Sequence, residues 1–539
     1  ALDKTNNSQE QKLYNDTYTI AVNGLYSIRN SQAYDWNTDF LINYNQMITS
    51  DISFDLNVGG NLRVSKRESV FTEGENFSFP NLFSIPNTTN PIVANGYSEK
   101  EVQSLYAAGQ LSYLNAIFFD ATVRNDWSST LPKDNRSYLY PSVGLTMVLT
   151  DLINFPQQFT FVKLRGSWAE VGNDTEPYSL QRDVILFDGT MRLDEVLPNK
   201  NLRPETTQST ELGIDFRLFK NRVKLDLTYY KSNSFDQIFE RPVPLASGAE
   251  SVFQNGADIQ NKGVEIMFGV TPVSTPNFKW NFDINFAKNN SEVLEILEGF
   301  ESLSLDRDFI REYKLVKGEP FGAVYSRGFL RDDDGNVIVD AAGIPMITPG
   351  LDVQVSNFNP DFLAGIMNSF SYKGFNMSFL VDIRQGGTVT SFTDAILAGN
   401  GLLDYTVQGR DGSLVFGENI FSEETAVTES GEANNISISA EDLWNKLGGR
   451  NAPVGEAFVR DASNIRLREL IFGYSLPESL LSKLPISSGR ISFVGRNLFF
   501  IHNKSDLDPE LVDGRGNSAE GRSSFGLPTN RSFGLSLKF

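Results

Sequence analysis

The chain ends Arg531-Ser-Phe-Gly-Leu-Ser-Leu-Lys-Phe539. Phe533, Leu535, Leu537 and Phe539 share one side of an extended backbone, and Ser532, Gly534, Ser536 and Lys538 share the other. Successive side chains of a strand point to opposite faces, so this is a strand with one apolar face that stops on an aromatic. The same alternation continues upstream. From Asp51 to Ser65, Ile52, Phe54, Leu56, Val58, Leu62 and Val64 alternate with Asp51, Ser53, Asp55, Asn57, Asn61 and Arg63. Phe278, Trp280, Phe282, Ile284 and Phe286 alternate with Lys279, Asn281, Asp283 and Asn285, and Val223, Leu225, Leu227 and Tyr229 with Lys224, Asp226 and Thr228. Further runs are 18–28, 117–123, 212–218, 264–270 and 375–383. A period of two over such lengths argues strand, not helix.

The runs are long. Many reach about 10–14 residues, against about 5–6 for a soluble strand and about 9–11 for a strand tilted across a bilayer. Connection lengths add a second rhythm. Short links fall at Thr49-Ser50, Leu114-Asn115, Lys220-Asn221, 274–277 and 372–374. Long ones fall at about 66–102, 126–137, 170–206, 235–256, 289–361, 386–461 and 502–530. Alternating short and long connections fit a transmembrane barrel with tight turns on one rim and large loops on the other. A compact soluble domain rarely carries connections above about 12–15 residues. The count of strands comes to about 16, and closure is required because an open edge in hydrocarbon leaves backbone groups unpaired.

Composition agrees. Hydrophobic residues are 40% and charged residues 21% of 539, which is not the composition of a disordered chain. No apolar run is long enough for a transmembrane helix. Mean hydropathy is slightly negative, as alternation requires. Cysteine is absent, which excludes disulfides and thiolate metal sites. The net charge of −20 argues against a nucleic-acid partner. Ala1-Leu-Asp-Lys-Thr-Asn reads as loop with no leader in it, so an exported protein is met here after processing or as a fragment.

Several segments resemble the barrel of SusC/RagA-type TonB-dependent transporters. Arg165-Gly-Ser-Trp-Ala-Glu-Val-Gly-Asn-Asp174 is similar to the family's R-x-S-Y/W-x-x-V-G-N segment. Trp127-Ser-Ser-Thr, Asn135-Arg and Tyr140-Pro-Ser-Val-Gly144 resemble its D-x-S-S…F-P-S hairpin. Asn201-Leu-Arg-Pro-Glu-Thr206 with Glu211-Leu-Gly-Ile-Asp215 resembles L-K-P-E…E-x-G-x-D. Asn261-Lys-Gly-Val-Glu265 matches N-K-G-x-E, and Gly318-Glu-Pro-Phe-Gly322 matches G-x-P-x-G. Asp461-Ala-Ser-Asn-Ile-Arg-Leu-Arg468 with Gly473-Tyr-Ser-Leu-Pro477 resembles D-x-S-Y/F-L/I-R-L-R/K…G-Y-x-L-P, with Asn464 at the aromatic position. Gly495-Arg-Asn-Leu-Phe499 with Asp508-Pro-Glu510 resembles N-L-x…D-P-E, and the ending from Pro528 to Phe539 fits as well. Each motif alone is weak; their common order is specific.

The resemblance implies an all-β, antiparallel outer-membrane barrel of a Gram-negative bacterium. It implies TonB-dependent import of an oligosaccharide or peptide nutrient with a SusD-like surface lipoprotein. TonB–ExbB–ExbD would act through a plug, and a dimer of the SusC–SusD pair is an assembly it leaves open. It makes Phe533, Leu535, Leu537 and Phe539 the signal read by the barrel-insertion machinery. No plug or TonB box is recognisable, and the family's barrel has more strands than this chain supplies, so 1–539 reads as the C-terminal barrel portion. A passive porin-like channel and a scaffold subunit of a larger outer-membrane assembly are the alternatives.

Chemistry-bearing residues are few. His502, the single histidine, is read in a loop without a nucleophile motif, so no catalytic site is expected. Neither cofactor nor metal is expected. Asp332 and Asp334 are weak calcium candidates that lack the spacing of a calcium loop, and Asp334-Gly335 reads as a hairpin turn. Asp51, Asp55, Arg63, Lys163, Arg165, Arg217, Lys224, Asp226, Lys279, Asp283, Asp382 and Arg384 are read as facing a wet lumen, where they solvate it or pair with one another. Trp36, Tyr138, Tyr140, Trp168, Tyr229, Tyr230 and Trp280 are read as lipid-facing girdle aromatics. Substrate-contacting residues stay unassigned.

Overall fold

The computed structural model describes residues 1–17, 21–187, 189–297, 299–481, 488–505, 507–510 and 520–539. Sixteen strands form one sheet that follows chain order. They are β1 (Leu2–Thr17), β2 (Ala21–Met47), β3 (Ile52–Glu75), β4 (Thr89–Tyr113), β5 (Ile117–Ser128), β6 (Ser137–Val148), β7 (Phe159–Asn173) and β8 (Glu205–Leu218). β9 (Val223–Phe235), β10 (Asp258–Ser274), β11 (Phe278–Glu295), β12 (Phe362–Tyr372), β13 (Phe375–Gln385), β14 (Asn464–Ser475), β15 (Arg490–Asn503) and β16 (Ser532–Lys538) complete it. The expected antiparallel β-architecture is therefore present. By internal contacts the chain divides into two units. The first holds Ala1–Leu152, Leu164–Leu212 and Ser232–Asp258; the second holds Ile153–Lys163, Gly213–Lys231 and Ile259–Phe539.

The short links are tight turns. Between β12 and β13, Lys373 (φ 45°) and Gly374 (φ 92°) both take left-handed angles, as a two-residue hairpin requires. Leu114 and Asn115 do the same between β4 and β5.

Two expectations need correction. Residues 1–6 are not loop. β1 pairs along its length with β2, from Leu2 opposite Trp36 to Thr17 opposite Ala21. The alternating run at 18–28 is thus the start of β2, and its residues 18–20 lie outside the described residues. The connection expected over 66–102 is mostly strand as well. Residues 66–75 belong to β3 and 89–102 to β4, which leaves 76–88 as the link. Both errors have one cause. In these stretches both faces carry polar residues, so alternation fades although the ladder continues.

That change of character marks a boundary. On one face of β2–β5, Ile42, Val58, Ala107 and Val123 form a cross-strand row, as do Tyr44, Leu56, Gly109 and Ala121. Val58 is 40% exposed and Ile42 64%, so none of the described residues covers this face. Ile52 through Leu62 spans the roughly 9–11 residues that a tilted strand needs to cross hydrocarbon. Beyond Leu62 the same face of β3 and β4 turns charged at Lys66, Glu68, Glu99 and Glu101.

Candidate functional site

The opposite, polar face carries paired charges. In the first unit Asp126 is buried, accepts from Arg124 Nε at 2.8 Å and from the Tyr140 hydroxyl at 2.5 Å. Arg124 Nη2 also donates to Ser104 Oγ at 2.9 Å. Asp174 accepts from both Lys100 Nζ and Ser128 Oγ. Arg124, Asp126, Lys100 and Asp174 border a cleft of about 350 Å³ together with Arg63, Arg67 and Tyr138. Two of the sequence motifs thereby meet, since Ser128 belongs to Trp127-Ser-Ser-Thr and Asp174 ends the segment that starts at Arg165. Gly172 of that segment lies under Tyr138, where an added Cβ would sit 2.4 Å from the ring. Asn135 Nδ2 reaches the Leu202 carbonyl at 2.9 Å and joins a third motif.

The second unit repeats the device. Arg466 is 3% exposed and pairs with Glu510 at 2.7 Å, while its guanidinium stacks 4.5 Å from the Phe500 ring. Arg468 pairs with Asp382 at 2.6 Å and donates to Glu510 and to Asn497 Oδ1. Hydrogen bonding from Arg468 holds the Glu510 carboxyl below the ordinary glutamate range, against the upward push of burial. Asp508 accepts from Thr529 through backbone and side chain. Asp461–Arg468 and Asp508-Pro-Glu510 are therefore two halves of one clamp. Asp215 sits between Lys163 at 3.8 Å and Arg217 at 3.2 Å. Over Gly263 lies the Tyr230 hydroxyl, 2.5 Å from where a Cβ would be, and it donates to Asn289 Oδ1 at 3.0 Å.

The two longest connections are not open loops. Ile310, Phe329, Val337 and Val339 from the β11–β12 connection pack with Leu414, Phe416, Leu443 and Trp444 from the β13–β14 connection in one buried cluster. Two helices belong to it, α1 (Phe392–Gly399) and α2 (Ala440–Leu447), capped by Ser391 Oγ and Ser439 Oγ accepting from Asp394 and Asp442 backbone N–H. Residues 337–339 pair in parallel with 426–428. Arg331 bridges Glu424 at 2.6 Å and Glu456 at 2.7 Å, and both carboxylates push its pKa upward. The β15–β16 connection threads through the same body. Arg522 and Ser523 pair in parallel with Thr390 and Ser391, and Arg311 Nη1 donates to the Glu520 carbonyl at 2.8 Å. That connection thus leaves the Arg466–Arg468 clamp at Asp508 and Glu510, pairs with the loop body at 522–523 and is back at the clamp by Thr529.

The single candidates fare variously. Asp332 Oδ1 accepts from the backbone N–H of Asp334 and Asn336, and its Oδ2 from Asn336 Nδ2. These bonds hold its carboxyl below the usual range, and the group serves its own turn. Among the described residues no three of His, Asp or Glu gather as a metal site would need. His502 is not in a loop but near the end of β15, opposite Ile465. Asp51 lies in the turn before β3, not on a strand face. Arg63 pairs with Asp35 at 3.3 Å, Asp55 accepts from Asn45, and Arg384 Nη2 donates to the Phe358 carbonyl at 2.5 Å.

The girdle assignment is corrected for three residues. Tyr138, Tyr140 and Tyr230 lie on the polar face, against Gly172, Asp126 and Gly263. Neighbours on a strand face opposite ways, so Tyr229 and Tyr230 never shared a side. Trp36 and Tyr229 are exposed at 59% and 47%, and Trp280 stacks on Phe370 with centroids 5.8 Å apart. At the C-terminus Phe533, Leu535, Leu537 and Phe539 are all exposed, with Phe533 stacked on Phe493.

The Arg466–Glu510 clamp escaped sequence reading because its halves are 44 positions apart. Its signal was the two motifs themselves, whose fixed charges had no stated partner.

A family model for the TonB dependent receptor-like β-barrel matches residues 2–292. TonB-dependent receptor P3 of Formosa agariphila is 26% identical over 82% of this chain and 46% of its own length. TonB-dependent receptor SusC of Bacteroides thetaiotaomicron is 24% identical over 91% of this chain and 50% of its own. The chain thus spans about half the length of the curated relatives it matches. A solved structure of the RagAB peptide transporter shares the fold at TM-score 0.77 and 18% identity, over 99% of this chain and 59% of that one. These relatives are receptors and transporters, not enzymes. By this match the chain belongs to the TonB-dependent receptor-like β-barrel family of Gram-negative outer-membrane proteins, with the SusC/RagA type among its relatives.

Proposed function

We propose that this chain is the barrel portion of an outer-membrane importer for an oligosaccharide or peptide nutrient. A SusD-like lipoprotein docks on the body built by the β11–β12 and β13–β14 connections, and TonB, energised by ExbB–ExbD, acts through a plug. The observation that carries the reading is this loop body with its own buried core, on a chain of this family. A pore that only sieves solutes needs no such core, whereas a docking partner needs a surface that keeps its shape. The polar face supports the same reading, because several of its charges are held in pairs along a hydrated wall.

Deleting 386–461 from the full-length protein is expected to abolish co-purification of a surface lipoprotein while the protein stays in the outer membrane. Unchanged co-purification sinks the docking assignment. In a planar bilayer without TonB the full-length protein is expected to be nearly silent, and steady ion conductance would favour the porin-like alternative.

A further inference from the structure

The apolar face of the first unit holds an open groove of about 860 Å³, and its place on the strands says what fills it. It spans two neighbouring cross-strand rows. One runs Thr38, Leu62, Gln103, Trp127 and the next Phe40, Gly60, Leu105. Gly60 has no side chain of its own and the Phe40 ring lies over it, so Phe40 and Leu105, each 53% exposed, line the groove side by side. Further along the strands toward the tight turns, the rows are apolar or aromatic across β3, β4 and β5, and β2 adds Gln46 opposite Phe54. One row the other way, the same face carries Glu101, and beyond it Lys66 and Glu99. The groove therefore straddles the edge of the apolar band, where Trp127 places an indole suited to a headgroup–hydrocarbon boundary.

Arg136 reaches into the groove from the β5–β6 connection. It is exposed, and among the described residues its guanidinium has no ion pair. Glu101, on the other side, accepts from Gln103 Nε2 at 2.7 Å and is turned along its own strand. An apolar trough that opens at one end onto an unpaired guanidinium suits an acyl chain joined to an anionic headgroup, of which a lipid phosphate is the one membranes supply in quantity. We propose that this groove is a specific lipid site. An acyl chain lies along Phe40, Gly60, Leu62 and Leu105, and the headgroup phosphate is held by Arg136. A protein partner fits poorly, because the trough faces hydrocarbon along its apolar length.

The test uses full-length protein purified in detergent, with dioleoyl phosphatidylethanolamine as probe and native mass spectrometry as readout. Wild type is expected to keep one lipid through mild activation. Arg136→Glu is expected to weaken retention about tenfold, since it replaces a charge-assisted contact by repulsion. Leu62→Trp, which fills the trough, is expected to remove it. Heat-modifiable migration on a gel checks that each variant is folded. Arg136 is exposed at a strand entrance, so its variant decides the matter even where Leu62→Trp fails to fold. Equal retention by wild type and a folded Arg136→Glu protein overturns the proposal. So does displacement of the lipid by millimolar inorganic phosphate, which would mark a free-anion site.

Discussion

Arg468 serves three acceptors at once, Asp382, Asn497 and Glu510. Removing one carboxylate leaves a half-buried guanidinium short of a partner, so Glu510→Gln is expected to cost about 2 kcal/mol at neutral pH. The pH dependence follows from the depressed carboxyl. Its folded value lies below its unfolded value, so the stabilisation is fully present above the unfolded pKa and is lost as pH falls through the folded one. Melting curves of wild type and Glu510→Gln should differ by a constant amount at pH 6–8 and draw together as pH falls from the unfolded carboxyl's value, about 4.3, toward the depressed folded one. A gap that does not narrow in acid would refute the clamp. Gly263 makes a steric counterpart. A Cβ there would lie 2.3 Å from the Lys288 carbonyl oxygen, so Gly263→Val is expected to cost about 1–3 kcal/mol by overpacking and to displace Tyr230. The fraction migrating as folded protein after graded heating measures it.

Elements show which parts of the fold were legible. Alternation located the strands wherever one face meets an apolar medium, as in Ile52–Leu62 and Phe278–Phe286. It failed in β1 and in the far halves of β3 and β4, where water lies on both sides. The loop body was invisible for a different reason. Its core is divided between two connections, and neither half carries a periodic apolar pattern by itself. Once seen, it makes firm demands on α2. Trp444 is 4% exposed and touches Tyr405, Phe421 and Phe458. Trp444→Ala is expected to cost about 3–5 kcal/mol, and Ser439→Ala about 1 kcal/mol by loss of the cap. Limited proteolysis should then cut within 302–458 while the strands remain protected; uncut loops in Trp444→Ala would contradict the shared core. The last strand carries its own prediction. Truncation of Phe539 is expected to lower the amount of protein in the outer-membrane fraction, and an unchanged amount would remove its role as an insertion signal.

At the scale of the whole chain, a total of about 16 strands and their antiparallel order were legible in two rhythms, the period of two and the alternation of short with long links, although β1 itself reads as loop. What those rhythms could not convey was how the long links bind one another. The β15–β16 connection is gripped by Arg466 and Arg468 at Glu510 and by Arg466 again at Thr529, and between these points 522–523 pair with Thr390 and Ser391. Deleting 386–461 therefore does more than remove a loop. It takes away the partner strand of 522–523 and strips the cover from Ile310 and Phe329, so 302–358 should become protease-sensitive in the same variant.

The length of β2, β3 and β4 has a consequence outside the membrane. Residues 64–75 of β3 continue past the apolar band for about 40 Å along the strand, at about 3.3 Å per residue, hydrogen-bonded to β2 on one side and β4 on the other. This stretch is a palisade of braced sheet rather than a fringe of loops. It sets a stand-off height: a large particle approaching from that side is halted by stiff backbone before it can touch lipid, while a slender solute passes alongside.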